Sequence, residues 1–471
     1  MPCTPAIVNP RRAARDRWPA RLMETRAATE QVSLGEATRV WAKIGWLGFG
    51  GPAGQIALMH RELVEKRRWI SDERFLHALS YCMLLPGPEA QQLATYIGWL
   101  LHGTRGGLVA GTLFVVPGAL AILALSIIYV TLGHVPLISG IFLGLKAAVM
   151  ALVVEAVLRV GRRALRSTVA RAVAAAAFLA LFVFGLPFPL VVIAAGLFGF
   201  SWTRSGRAGF AAGSHGGSAA DAPTPVIDDA TLHRAQPGTS RAIRILAIWL
   251  PLWFLPMAVA AVVLGPQHLF VQSGLFFAGM AVVTFGGAYA VLAYVAQRAV
   301  VDFGWLTSTQ MLDGLALAET TPGPLILVVQ FVAFVAGYQV DGIAGGVLAA
   351  FIALWATFVP CFLWIFLGAP YVESLRHQTS LAAALAAITA AVVGVILNLA
   401  LWFALHALFT QMSPEPLPGT QLHVPHLSSL NVPLAALTLL SMVLTFTARW
   451  STSRTLLVMS AAGVVVNMLV S

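Results

Sequence analysis

Charge is scarce in this chain. Only 10% of its 471 residues are charged and 58% are hydrophobic, whereas a soluble globular protein is about a quarter charged. A soluble catalytic domain is therefore excluded. Lysine is rarest: Lys43, Lys66 and Lys146 are the only three. Cysteine is nearly absent too. Cys3, Cys82 and Cys361 have no metal-type spacing, and two lie in apolar stretches where a buried thiol is the plain reading. There is no P-loop, no His-Glu-x-x-His, no Gly-x-Ser-x-Gly and no Cys/His cluster, so an ATP engine, a metal centre and a cofactor are not expected. A membrane-embedded enzyme is a distant alternative. No apolar segment precedes residue 30, so no cleaved signal peptide is expected.

What fills the space is apolar sequence. Runs of around twenty residues recur, long enough to cross a bilayer core, and mean hydropathy is +0.82. The runs are continuous and rich in Ala and Leu rather than alternating, which disfavours a β-barrel. The net charge of +10 is read as topology, not nucleic-acid binding, because Lys and Arg mark cytoplasmic loops.

One block occurs twice. It runs from Phe49-Gly50-Gly51 through Trp69 to Pro86-Gly87-Pro88, and again from Phe285-Gly286-Gly287 through Trp305 to Pro322-Gly323-Pro324. One interval, 236 residues, separates every pair of landmarks. The expected fold is an all-α polytopic membrane protein of two homologous halves, arranged as inverted repeats with broken or re-entrant helices.

Taken in order, residues 1–32 form a cytoplasmic N-terminal arm with six arginines. The first membrane repeat spans 33–202. An apolar segment over Val40–Met59 breaks at Gly48–Pro52, and short pieces at 72–85 and 89–102 flank the first Pro-Gly-Pro. Helices at 107–131 and 137–158 follow, then an arginine cluster at 159–171 and a helical hairpin over 172–201. A Gly-, Ser- and Pro-rich cytoplasmic linker covers 203–242. The second repeat spans 243–471: an extra helix at 244–264, a broken segment at 270–298, short pieces at 308–320 and 324–338, helices at 342–368 and 379–409, a loop at 410–430 without Lys or Arg, and helices at 431–447 and 455–470. Ser71 is a helix-cap candidate, and Thr307 with Gln310 a capping box.

Charge sets the expected orientation. If each block only dips into the membrane or crosses it an even number of times, 27 of the 29 Lys and Arg residues fall on the cytoplasmic side with the arm. Arg298 falls outside and Lys146 lies within a helix. The two blocks then approach from opposite faces, as in transporters whose site lies between repeats near the midplane.

Gly/Pro breaks are tolerated at membrane depth only when buried in protein or lining a cavity. Pro88 and Pro324 read as first-turn residues, so the N–H groups of residues 89–91 and 325–327 offer an anion site. The alternative is kinks needed only for packing. The breaks predict a substrate site at Phe49, Gly50, Gly51, Pro52, Pro86, Gly87, Pro88, Glu89, Gln91 and Gln92 in the first half. The second half adds Phe285, Gly286, Gly287, Glu319, Thr320, Thr321, Pro322, Gly323, Pro324 and Gln330. Lys146, the lone cation in the hydrocarbon zone, is expected either to neutralise an anion or to pair with a carboxylate such as Glu89. Glu155 and Asn398 read as polar helix ends.

At these residues the sequence resembles the chromate ion transporter family in its long, two-domain form. The match rests on Phe49-Gly-Gly-Pro-Ala-Gly, Pro86 to Gly98, Phe285-Gly-Gly-Ala-Tyr and Asp313 to Pro324. The resemblance implies a bacterial inner-membrane protein that exports chromate and confers resistance, with halves of opposite orientation. The partners implied are chromate or a related oxyanion and the lipid bilayer, with room for a homo-oligomer. A transporter of sulfate or another tetrahedral oxyanion is the alternative. Ala288 stands where the first copy has Pro52, so the two breaks need not be equivalent.

Overall fold

The computed structural model describes residues 32–206, 238–285, 288–371, 379–413, 420 and 423–470. Most of the N-terminal arm and of the linker, and also Gly286, Gly287 and Arg376, lie outside them. Among the described residues there are fifteen α-helices and no strand beyond two isolated bridges, Phe409 with Leu430 and Met412 with Pro425.

The first block opens with α1 (Leu34–Leu47), six residues earlier than the apolar run suggests, because Ser33 caps it by accepting from Glu36 N–H at 3.1 Å. It stops at Gly48. A turn through Gly50 and Gly51, with φ of 85° and 67°, starts α2 (Gly51–His60). A π-turn (Arg61–Lys66) leads to α3 (Asp72–Cys82), capped by Ser71 as expected. The first Pro-Gly-Pro then separates α3 from α4 (Glu89–Leu132).

Helix α4 is two antiparallel arms. At His102 and Gly103 the backbone leaves helical geometry, Gly103 taking φ 60° and ψ −149°. The arms then pack so closely that a Cβ on Gly98 would collide with the carbonyl of Gly106. Residues 89–101 are a re-entrant arm, and 104–132 are long enough to cross the hydrocarbon core. Two contacts show that the block returns to the end where it began: Lys43 binds Glu62 at 3.1 Å, and His102 bonds Val32 O at 2.7 Å.

The second membrane crossing is α5 (Pro136–Ala164), followed by the hairpin α6 (Thr168–Phe182) and α7 (Phe188–Arg204). After the linker, α8 (Thr239–Leu264) crosses once more and reverses the polarity of everything behind it. The second block is α9 (Leu269–Val283), α10 (Ala288–Ala296), a π-turn (Gln297–Asp302), and α11 (Ser308–Thr320) with its Thr307–Gln310 capping box. A 3-10 turn (Leu325–Leu327) and α12 (Val328–Gly368) follow the second Pro-Gly-Pro. α12 is again two arms, reversing at Asp341 and Gly342 with Gly337 against Gly345. Helices α13 (Thr379–Leu408), α14 (Val432–Met442) and α15 (Thr452–Val470) complete the chain.

The halves are inverted. Arg241, opening α8, stacks over Trp99 near the first reversal and bonds Phe366 O at 3.0 Å. The second reversal, at Gly342, is a full helix length from Phe366. Only a block approaching from the opposite end satisfies both. The halves also interlock: α15 packs along α5, with Gly144 against Met459, while α6 and α7 pack along α13, with Gly394 against Ala174. The outer surface is apolar, with Val262 88% and Leu457 73% exposed, as a lipid-facing surface requires. Among the described residues, six helices are long and apolar enough to cross a membrane.

Candidate functional site

The breaks of each half close on the breaks of the other. Gly87 N–H, in the first Pro-Gly-Pro, bonds Thr284 O at 2.9 Å, and Gly323 N–H, in the second, bonds Gly48 O at 3.0 Å. Thr284 and Gly48 are repeat counterparts, so one bond is the image of the other under a pseudo-twofold axis. The contacts behind them follow the same rule. Gly87 faces Cys361 of α12, and Gly323 faces Gly118 of α4. Both glycines take φ that residues with a Cβ avoid, 117° and 98°.

Buried polar atoms gather at this crossing. Gln91 and Gln92 are fully buried. Neither side-chain atom of Gln91 has a hydrogen-bond partner, and the Oε1 atoms of Gln55, Gln92 and Gln330 also lack one. An unpaired buried amide is costly and is normally met by water or a ligand. Gln92 Nε2 donates to Pro86 O at 2.7 Å, and Gln330 Nε2 to Ala119 O at 2.9 Å. Gln55, absent from the sequence expectations, donates from Nε2 to both Gly48 O and Gly323 O. It ties the first broken helix to the second Pro-Gly-Pro. Its counterpart is Val291, so the repeat pattern carried no signal for it.

The N-termini differ from expectation by a residue or more. Pro88 is the cap of α4 rather than its first helical residue, and the first helical bond is Gln92 N–H to Pro88 O at 3.1 Å. This leaves the amides of Glu89, Ala90 and Gln91 free of helical partners. Pro324 is likewise a cap, but a 3-10 turn follows it, and Leu327 N–H bonds Pro324 O. Residue 327 is therefore not a free donor. Nor do the neighbouring hydroxyls donate outward: Thr320 and Thr321 both spend their protons on Leu317 O. Glu319 is buried and accepts from Tyr289 OH at 2.5 Å. Phe49 is 45% exposed, and Pro52 sits at the start of α2.

Lys146 does not pair with Glu89. Its Nζ lies 3.3 Å from Asp313 Oδ1, and Tyr129 OH donates to Asp313 Oδ2 at 3.0 Å. Asp313 is 3% exposed. It stands inside the repeated motif, yet its role as the lysine's counter-ion depends on α5 and α11 lying side by side. This pair opens on a cavity of about 530 Å³ that also holds His134, Gln310 and Tyr338.

At the other end of α5, Arg159 binds Glu155, and both lie within electrostatic reach of Tyr289 and Glu319. A cavity of about 850 Å³ opens there, lined by Arg159, Arg162, Arg163, Arg449 and Trp450. A third cavity, about 570 Å³ between α6 and α7, is lined mainly by Ala, Val and Leu, with Phe198, Trp202 and Thr168, and has no charged residue to hold an anion. In the π-turn outside the spanning helices, burial pushes the Glu62 carboxyl up. Lys66, Lys43 and Arg67 outweigh burial and hold it down at about 2. Among the described residues no cluster that could hold a metal ion is present.

Inverted repeats whose discontinuous helices meet in a buried polar crossing define a polytopic membrane protein of two interlocked halves. The chain belongs to the chromate transporter family, which matches it over residues 35–200 and 271–467. A chromate transport protein of Pseudomonas aeruginosa is 34% identical, over 79% of this chain and 81% of its own length. A chromate transport protein of Cupriavidus metallidurans is 28% identical over 77% and 81%, and a probable chromate transport protein of Synechococcus elongatus is 29% identical over 77% and 83%. No solved structure matches the chain.

Proposed function

We propose that this protein is a secondary transporter that moves chromate out of the cytoplasm across the bacterial inner membrane, with no chemical step, and so confers resistance. The observation that carries the reading is the reciprocal crossing of the two Pro-Gly-Pro breaks, beside which Gln91 lies buried with both side-chain polar atoms unpartnered. A tetrahedral dianion needs donors converging from several directions. The three free amides of α4, the positive end of its dipole and the Gln91 amide supply them. The N-terminus and the 203–242 linker are assigned to the cytoplasm because the basic residues fall at that end. An inside-negative potential favours anion exit by about 2.3 kcal/mol per charge per 100 mV, which doubles for a dianion. Glu89 and Glu319 are the carboxylates placed to couple exit to protons.

The test is uptake of labelled chromate into everted vesicles, with ionophores and with sulfate as competitor. Export predicts accumulation that collapses with the membrane potential and leaves chromium hexavalent. Uptake equal to protein-free vesicles, or reduction of chromium, would overturn it. Sulfate competing as strongly as chromate itself would assign the protein to tetrahedral dianions in general.

A further inference from the structure

The arginine-lined cavity at one end of α5 has no part in the crossing, and its backbone is unusual. Among the described residues three π-turns finish in the same way: one residue, one left-handed residue, then a tryptophan. The tryptophan N–H bonds back six residues: Trp69 to Leu63 O at 2.8 Å, Trp305 to Ala299 O at 2.8 Å, and Trp450 to Leu444 O at 3.1 Å. The left-handed position is Gly304 in the second block, with φ 61°, as such helix ends favour. At the other two it is Arg68 and Arg449, with φ 53° and 52°, the only two non-glycine residues with positive φ among those described. Left-handed backbone is costly for any residue bearing a Cβ, and such outliers persist only where the surrounding structure over-determines them.

For Arg449 the structure shows a use. It joins Arg159, Arg162 and Arg163 in lining a cavity of about 850 Å³, with Ser451, Thr452 and Trp450 beside them and Glu155 as the only acid. Glu155 binds Arg159. Among the described residues no carboxylate pairs with Arg162, Arg163 or Arg449. Like charges brought together around a void repel one another unless an anion enters. Arg159 lies within electrostatic reach of Glu319, three residues before Pro322, and of Tyr289, just past the second Phe-Gly-Gly, which donates to Glu319.

Resting on the export reading, we propose that this cavity is the collecting vestibule for the substrate. It gathers a tetrahedral dianion on Arg162, Arg163 and Arg449 and hands it past Arg159 to the crossing. Clefts of one sign raise the local concentration of a counter-ion and its association rate, and salt weakens the effect.

The experiment compares Arg449→Gly, Arg162→Gln and Arg68→Gly in everted vesicles, with binding of labelled chromate to each purified protein read separately. Arg449→Gly relieves the backbone, so a loss cannot come from strain. The expected result is a half-saturating chromate concentration raised roughly threefold to tenfold by Arg449→Gly and Arg162→Gln. Maximal rate should be unchanged and the dependence on salt flatter. Arg68→Gly, equally left-handed but outside the cavity, should behave as wild type. Unchanged half-saturation and salt dependence in both cavity variants would overturn the vestibule while leaving export intact. A wild-type protein that binds chromate through these arginines without moving it would sink export alone. The assay is repeated in vesicles of phosphatidylcholine only. If the arginine effects vanish there, the arginines act through an anionic lipid headgroup and the proposal fails.

Discussion

The two Pro-Gly-Pro breaks share a backbone and almost nothing else. Each glycine donates to the broken helix of the opposite half, and each is backed by the spanning arm of that half. Past the first break the helix opens at once with Glu89, Gln91 and Gln92. Past the second, the inserted turn Leu325–Leu327 delays the helix by three residues, which makes Gln330 the counterpart of Gln91 and surrounds it with apolar neighbours. Before the second break stand Asp313 and Glu319; their counterparts in the first are His77 and Met83. Duplication thus kept the glycines and prolines that let two chains cross, and diverged in the side chains around them. Donors gathered at one break, and acids on the helix leading to the other.

That contrast can be broken from its acidic side with the largest effect. Lys146→Ala strands the buried Asp313 carboxylate and is expected to cost about 3–5 kcal/mol of stability, seen as a large drop in thermal midpoint in detergent. The double variant Lys146→Met with Asp313→Leu should recover most of it. If the double variant also regains wild-type half-saturation for chromate, the lysine is a strut and not a ligand. A raised value with restored stability makes it both.

The glycines come next. Gly323→Ala puts a Cβ against Leu327 Cδ1 and, just beyond it, the Gly118 backbone, while Gly87→Ala puts one against Cys361 Sγ and Gln92 Nε2. Both also pay for an unfavourable φ, so each should cost about 1–3 kcal/mol. Gly87→Ala should be partly rescued by Cys361→Ala and Gly323→Ala by Leu327→Ala, the second less completely because the Gly118 backbone behind Leu327 cannot be removed. Rescue of neither in thermal unfolding, or a fuller rescue of Gly323→Ala than of Gly87→Ala, would mean that the two crossings are not built as described.

The smallest expected effect sharpens the donor side. Gln91→Leu should lower chromate transport about tenfold, near 1.4 kcal/mol. Stability should be unchanged or improved, since an unsatisfied buried amide is lost. Gln330→Leu frees Ala119 O and should lower stability by about 1 kcal/mol with a lesser effect on transport. Equal transport losses would erase the asymmetry between the breaks.

Much of this was legible beforehand. The repeat interval, the re-entrant arms at 89–102 and 324–338, the hairpin near Gly185 and the caps at Ser71 and Thr307 all follow from glycine, proline and capping chemistry acting over a few residues. Local rules missed Gln55, Asp313 as the partner of Lys146, and the inserted turn after Pro324. Gln55 bonds residues of both halves, and the Lys146–Asp313 pair joins helices from different halves. Nothing within either local segment signals such a partner.

The sequence by itself determined that the chain lives in a membrane, that it is double, and where its helices must break, because backbone that cannot be hydrated in lipid has to be paired or broken by glycine and proline. Only the tertiary structure decided that each break is completed by the other half, and that four arginines from α5 and the final hairpin surround one cavity. Those arrangements depend on which helices are neighbours, and α8, by inserting one extra crossing, inverts the second repeat and brings them together.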